Sequence, residues 1–558
     1  MNTQPAIGIS GGAIRYALLA LLALFAVVPG IAEMPPLDRD ESRYVQATRQ
    51  MVQTGDYVDI RMQEARRYNK PVGIYWMQAA AIALSGKGDA AGIWIYRLVS
   101  VLGAVMSVLA VCWTGTRIFG RDAGFVAGLV MAGLFCVAFE GRIAKTDAML
   151  LAFAVLSQGA LAQIYLAARR QQVAPGHLPW IFWIAQGFGI LIKGPIVPLV
   201  SVLTILAVSL FDREWRWLAK LRTGWGLLVV ALIVLPWLAL ISWKSGGAFW
   251  QESVGKDLLG KVAQGQESHW GPPGYYILTY SLYVWPFALL ALVAGLRALN
   301  GMRRDPRLLF CVAWYVPFWL VFEVISTKLP HYMLPAYPAL ALVIGWWATS
   351  RPEGSEQPFL LWQKLLVWLT AFGQVIVTLG LGGLAIAAPI YLGAGISIWG
   401  IVAAVFVGLA GYLAFSLGRP VSAGRIGAAT VTAAAAYAIM FTAVLPSLST
   451  IWLSPRIAAE VRKNSPCGNS VVASVGYHEP SMVFLTSTET VLTNLSGAAQ
   501  HLIGDPACAL ALVPADQGGD LEAKVLKAGK VAGRVATIEG LNYSSGDRMT
   551  LVLYRILP

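Results

Sequence analysis

An Asp-Arg-Asp-Glu-Ser-Arg-Tyr run, Asp38 to Tyr44, stands just after the first apolar stretch of a chain that is otherwise poor in charge. Asp40 and Glu41 are adjacent, and neighbouring side chains on a helix or turn point apart, so one can face a ligand while the other caps or pairs. Further on, Arg66-Arg67-Tyr68-Asn69-Lys70-Pro71 sets three cations beside aromatic residues, which suits a phosphate on a lipid carrier through charge-assisted hydrogen bonds. Asp147 follows Arg142 and Lys145, Lys193 precedes Gly194-Pro195, and two histidines lie in His269-Trp270-Gly271-Pro272-Pro273 and Lys328-Leu329-Pro330-His331-Tyr332. Acids facing several cations fit a transfer whose donor is a phosphate-activated group. The cations stabilise charge on the leaving phosphate, and a carboxylate orients or deprotonates the acceptor.

Each group also has a plainer reading. Asp38 or Asp40 could cap a helix starting near Glu41 and running through Tyr44, Ala47 and Met51 along the membrane surface. The 66–70 cations could anchor headgroups, Asp147 could answer a helix dipole, and a lone histidine is often structural. Lys193 is harder to dismiss, because it sits in an apolar hairpin with no neighbouring acid and needs a phosphate or carboxylate partner.

The elements that must position these residues are membrane helices. Of 558 residues, 57% are hydrophobic and 13% charged, and the mean hydropathy is +0.63, the composition of a polytopic membrane protein. About 13 apolar spans follow by the hydropathy criterion. They fall near 14–32, 92–115, 121–139, 147–168, 178–192, 194–211, 223–241, 274–296, 308–326, 331–349, 362–390, 396–417 and 424–446. The first reads as a retained span and not a cleavable signal, since it has no small-residue cleavage site. Gly380-Leu381-Gly382-Gly383 reads as helix packing within its span.

With Arg15 on the cytoplasmic side, the loops at 117–121, 169–170, 213–222, 297–307, 351–364 and 419–425 are all basic, as the positive-inside rule requires. The net charge of +13 then reflects orientation, and scattered basic loops argue against a nucleic-acid partner. The acids and cations of the motifs, with Glu64, Glu140 and Glu267, all gather on the opposite face.

Residues 1–446 form the membrane domain, with a first outer loop at 33–91 that carries interfacial helices. Residues 447–558 read as a small outer α/β domain, with strands at 470–475, 507–513 and 549–556 and helices at 478–485 and 521–527. Cys112, Cys136 and Cys311 fall in spans as buried hydrophobes, while Cys467 and Cys508 could bridge in an oxidising compartment or remain thiols. No Cys/His spacing suggests structural zinc, and a divalent ion near Asp40 and His269 gets no firm support from ligand spacing.

The run 38–44, with Tyr68-Asn69-Lys70-Pro71-Val72-Gly73-Ile74-Tyr75-Trp76, Lys145-Thr146-Asp147, Lys193-Gly194-Pro195 and Lys328-Leu329-Pro330-His331-Tyr332-Met333-Leu334-Pro335, resembles the GT-C superfamily of bacterial membrane glycosyltransferases. Within it the chain is most similar to the lipid A 4-amino-4-deoxy-L-arabinose transferase group, related to protein O-mannosyltransferases. The resemblance implies a GT-C fold in the bacterial inner membrane, with the active site and the C-terminal domain on the periplasmic side. It implies inverting transfer from an undecaprenyl-phosphate-linked sugar to lipid A or another glycan or lipid acceptor, with no required cofactor. By motif position it makes Asp40 and Asp147 the catalytic acids and puts Arg43, Tyr44, Lys70 and Lys193 around the donor phosphate. Glu41, Arg67, Tyr68, His269, Lys328, His331 and Tyr332 are the other expected cavity residues. Gly476-Tyr477-His478-Glu479-Pro480-Ser481 is similar to a stretch in a subset of these transferases.

Other classes compete. A protein O-mannosyltransferase would want a peptide groove. A transporter of the lipid-linked sugar would want midplane charges and inverted repeats. A sensor anchored by its spans would not need polar residues spread over five outer loops.

Overall fold

The computed structural model describes residues 9–253, 255, 271–350, 358–393, 395–416 and 421–557. Glu267, His269, Arg351 and Arg419 therefore lie outside the described residues. Among the described residues, six helices are long and apolar enough to cross a membrane: Ile93–Phe119, Asp147–Arg169, Thr223–Ser245, Pro306–Val324, Leu361–Leu392 and Ala423–Val444. Shorter apolar helices, Gly11–Val27, Leu178–Lys193, Ile196–Asp212 and Ile398–Ala414, fall on four further expected spans.

Three expected spans are not single straight helices. The 274–296 stretch is a pair, Tyr275–Tyr283 and Ala288–Gly301, bent by 118°. Pro286 lies in the break, where it can donate no amide hydrogen, and the Trp285 carbonyl accepts from the Phe135 amide at 2.9 Å. The 121–139 stretch divides at Leu134, whose backbone is extended. The 331–349 stretch opens with a 3-10 segment, Pro330–Ala336, before the helix Tyr337–Thr349.

The site is built from the N-terminal half. Helix α1, Ile9–Val27, leads to two short helices in the first outer loop, α2 (Asp40–Thr54) and α3 (Gly73–Ser85). A two-stranded hairpin joins them, β1 (Arg61–Met62) pairing antiparallel with β2 (Ala65–Arg66). Then come α4 (Ile93–Phe119), α5 (Arg121–Gly133), α6 (Phe135–Glu140), α7 (Asp147–Arg169) and α8 (Leu178–Lys193). Helix α4 packs so closely on the first turn of α7 that a Cβ at Gly103 would lie 2.6 Å from the Ala148 carbonyl carbon. Glycine is thus required there to seat Asp147.

The C-terminal domain is built on a five-stranded mixed sheet in the order β4-β3-β5-β7-β6. Its strands are β3 (Val472–Val475), β4 (Val491–Thr493), β5 (Leu510–Pro514), β6 (Ala532–Asn542) and β7 (Asp547–Ile556). The first three run parallel and the rest antiparallel. Alternate residues of β5 enter two cores: Ala511 and Val513 pack with the helices Leu495–Gly504 and Gly518–Lys527, and Leu510 and Leu512 pack with Leu453–Asn464. Burial on both faces is what a parallel sheet with helical crossovers requires. The expected strands and helices are present. β4, β6 and the helices 453–464 and 495–504 are additional. Cys467 and Cys508 are bonded, with Cα atoms 5.3 Å apart, tying the approaches to β3 and β5 together.

This domain grips the first outer loop. Gln46 donates to Thr488 Oγ1 at 2.8 Å, Gln63 Nε2 donates to the Thr490 carbonyl at 2.6 Å, and the Arg49 guanidinium lies 4.0 Å from the Phe484 ring centre. Helix α2 is therefore held between α3 and the helix Pro480–Leu485, and does not lie free on the membrane surface.

Candidate active site

A cavity of about 320 Å³ opens where five segments meet: 37–44, 67–70, 139–147, Lys193 and 327–332. Of the residues singled out by sequence, Asp40, Glu41, Arg43, Tyr44, Arg67, Lys70, Asp147, Lys193, His331 and Tyr332 line it.

Asp40 is the first residue of α2 and is exposed. Among the described residues its carboxylate makes no hydrogen bond or ion pair, and the positive end of the helix favours its charge. The capping reading does not hold, because Arg39 occupies the N-cap and no side chain caps the helix.

Glu41 faces inward. Arg97, on α4, donates to it through Nε at 2.8 Å and Nη2 at 2.7 Å, and also reaches the carbonyls of Ile31, Met34 and Pro35. The Ala144 amide donates to Glu41 Oε1 at 2.7 Å and the Leu37 amide to Oε2 at 2.9 Å. Both groups are almost fully buried and richly bonded, the condition under which a buried pair is sustained.

Asp147, at the start of α7, is surrounded by cations. Lys193 Nζ is 2.6 Å from Oδ1, Lys145 Nζ 3.7 Å from Oδ2, and His331 Nε2 3.9 Å from Oδ1. Lys145 also reaches Glu140 at 3.0 Å. Burial works against a charge on Lys145, but Glu140, Asp147 and Asp40 outweigh it, and its pKa lies above the ordinary lysine value. The carboxylate partner expected for Lys193 is thus Asp147. The loop carrying Lys145 is fixed from behind, since Ser100 donates to the Ile143 carbonyl at 2.6 Å and Gln78 to the Ala144 carbonyl at 3.2 Å.

On the opposite wall the Arg67 guanidinium lies 5.0 Å from the Tyr44 ring centre, and Tyr44 packs on Tyr75 at 5.5 Å. Burial disfavours the Arg67 charge, but Tyr75, Tyr44 and Asp40 more than compensate and raise its pKa. Arg43 and Lys70 complete this side, with Lys70 Nζ donating to the Asn69 carbonyl at 2.9 Å. Across the cavity Lys193 Nζ stands 5.5 Å from the Tyr332 ring centre.

Two expected cavity residues point elsewhere. Tyr68 is buried behind the hairpin, donating to Asp59 Oδ1 at 2.6 Å and packing edge-on against Phe249, because successive residues leaving β2 face opposite sides. Lys328 is buried and donates to the carbonyls of Gly271 at 2.9 Å and Ile325 at 2.7 Å, so it ties a loop while its neighbours Thr327 and Leu329 line the cavity. The ion site considered at Asp40 and His269, which ligand spacing did not support, rests on a residue outside the described ones, and no cluster of three metal-capable side chains occurs among the described residues.

Sequence reasoning assigned no role to Arg97, Lys145, Asn69 or Thr327. Arg97 carried a usable signal, as an isolated cation inside an apolar span. Lys145 stood two residues before Asp147 in a mixed-sign group. Asn69 stood inside the Tyr68–Trp76 motif, and Thr327 carried no signal.

The family model of dolichyl-phosphate-mannose-protein mannosyltransferases matches residues 33–250, the part of the chain that builds most of this cavity. An undecaprenyl phosphate-alpha-4-amino-4-deoxy-L-arabinose arabinosyl transferase of Aeromonas salmonicida is 28% identical over 65% of this chain and 64% of its own length. One from Proteus mirabilis is 27% identical over 60% and 58%. The matches thus span somewhat under two thirds of these relatives. The crystal structure of ArnT from Cupriavidus metallidurans bound to undecaprenyl phosphate aligns over 98% of both chains, with a TM-score of 0.73 at 18% identity. The oligosaccharyltransferase of Archaeoglobus fulgidus aligns over 98% of this chain and 75% of its own, with a TM-score of 0.53 at 11% identity. The chain is thus similar in sequence to these arabinosyl transferases over 60–65% of its length, and it shares the fold of ArnT from end to end.

Proposed function

We propose that the protein is an inverting glycosyltransferase that moves a sugar, 4-amino-4-deoxy-L-arabinose, from undecaprenyl phosphate to lipid A or a related glycan acceptor. The observation that carries this is the Asp40 carboxylate, which has no partner among the described residues, in a cavity that also presents Arg43, Arg67, Lys70, Lys145 and Lys193, cations that can take a phosphate. The names of the curated relatives and the lipid bound in the Cupriavidus structure support the choice of donor. In the proposed reaction an acceptor oxygen attacks the anomeric carbon, the bond to the donor phosphate breaks, and undecaprenyl phosphate leaves with the electron pair. Arg43, Arg67 and Lys70 stabilise that charge. A lipid A phosphate is already nucleophilic, so Asp40 orients it, whereas with a hydroxyl acceptor Asp40 takes the proton. Asp147 holds Lys193, Lys145 and His331 in place opposite. The site lies on the periplasmic side of the bacterial inner membrane in this reading, and the reaction needs no cofactor. A chelator therefore leaves the rate unchanged unless a divalent ion assists Asp40.

The family model over 33–250 also favours a second reading, transfer of a polyprenyl-phosphate sugar to protein. Mass spectrometry of lipid A from cells with and without the protein separates the two. Loss of a phosphate-linked amino sugar in the deletion strain supports the first reading. Unchanged lipid A with a lost protein glycan replaces it with the second.

A further inference from the structure

The outer domain touches two residues that line the cavity, Asp38 and Arg39. The turn between β6 and β7 brings Tyr543 and Ser544 against the two residues that precede Asp40. The Asp38 amide donates to Tyr543 Oη at 2.6 Å, and Arg39 Nη2 donates to the Ser544 carbonyl at 2.6 Å, both across 505 residues of sequence. Arg39 has φ 65° and ψ −105°, a backbone conformation that residues with a Cβ rarely adopt. Such a residue costs on the order of 1–3 kcal/mol and persists only where its surroundings hold it. Tyr543 is itself fixed, its ring packed edge-on against Trp452 with centres 5.8 Å apart. Beyond Asp38, the 476–481 stretch is anchored by a buried chain of hydroxyls, Tyr477 to Ser454 at 2.7 Å and Ser481 to Ser454 at 2.5 Å.

We infer that Tyr543 is a positioning residue: its hydroxyl, with the Ser544 carbonyl, holds the Arg39 backbone in the conformation that aims the Asp40 carboxylate into the cavity. The outer domain is then part of the active site and not an appendage. The inference rests on the proposal that Asp40 acts in the transfer.

The test is Tyr543→Phe in the full-length protein, which keeps the ring on Trp452 and removes only the hydroxyl. Transfer from undecaprenyl-phosphate sugar in proteoliposomes should lose kcat by on the order of ten- to a hundredfold, as for a slightly misplaced catalytic group, with donor KM almost unchanged. Amide exchange in 37–43 should quicken. Wild-type kcat in Tyr543→Phe overturns the inference, as does a lost kcat with unchanged exchange in 37–43. A wild-type protein that transfers no sugar sinks the functional proposal instead, and the exchange measurement alone then decides the positioning.

Discussion

At the scale of single residues, Asp40 and Glu41 differ by one methylene and one position, yet one is exposed with no partner among the described residues and the other is buried with four hydrogen bonds. Their substitutions separate accordingly. Asp40→Asn should cut the transfer rate by roughly a thousandfold, within the range for a general base. Its thermal unfolding temperature should stay at the wild-type value, because no bond in the protein is lost. Activity measured beside unfolding decides this, and a destabilised Asp40→Asn would assign the residue a structural role. That one acid of the pair must face away was legible from their adjacency. Which one was not, since the deciding partner, Arg97, lies 56 residues on from Glu41.

At the scale of elements, Arg97 joins four segments that sequence reading treats separately: the 31–37 turn, α2, α4 and, through Glu41, the 141–146 loop. Removing one member of such a buried pair strands the other, at a cost of about 3–5 kcal/mol. Arg97→Ala should therefore lower the unfolding temperature of the solubilised protein sharply, and a variant as stable as wild type would show that water replaces the guanidinium. The helices themselves were legible from runs of apolar residues, and their interruptions were less so. Pro286 marks the 118° bend, but the break at Leu134 follows Gly133, one of three glycines in a span where Gly124 and Gly128 interrupt nothing. The tight seat of α7 on Gly103 was invisible too, because one glycine in an apolar helix has many readings.

At the scale of the whole molecule, the outer domain docks through a titratable contact. Burial pushes the Asp38 carboxyl up to about 6, opposed by hydrogen bonds from Ser481 and Tyr543 and reinforced by the nearby Glu479 charge. A raised carboxyl favours its protonated form in the docked state. Its contribution is full below about pH 4 and is lost as the pH rises through about 6. Asp38→Asn should flatten the pH dependence of unfolding between these values and stabilise the protein at neutral pH. Thermal scans across that range measure it, and a slope equal to that of wild type would show that Asp38 does not govern docking. The polar motifs were legible as one face of the membrane domain because topology sorts charge by side. The contact between Asp38 and Tyr543 was not, because nothing local in a chain reports which distant hairpin will meet a loop. That distance also sets an order of events during synthesis. Every membrane helix and every cavity cation is made before residue 543, so a nascent chain can assemble the cavity while the turn that holds Arg39 is still missing. The competent site is completed only when the last hairpin is made and docks beside the first loop.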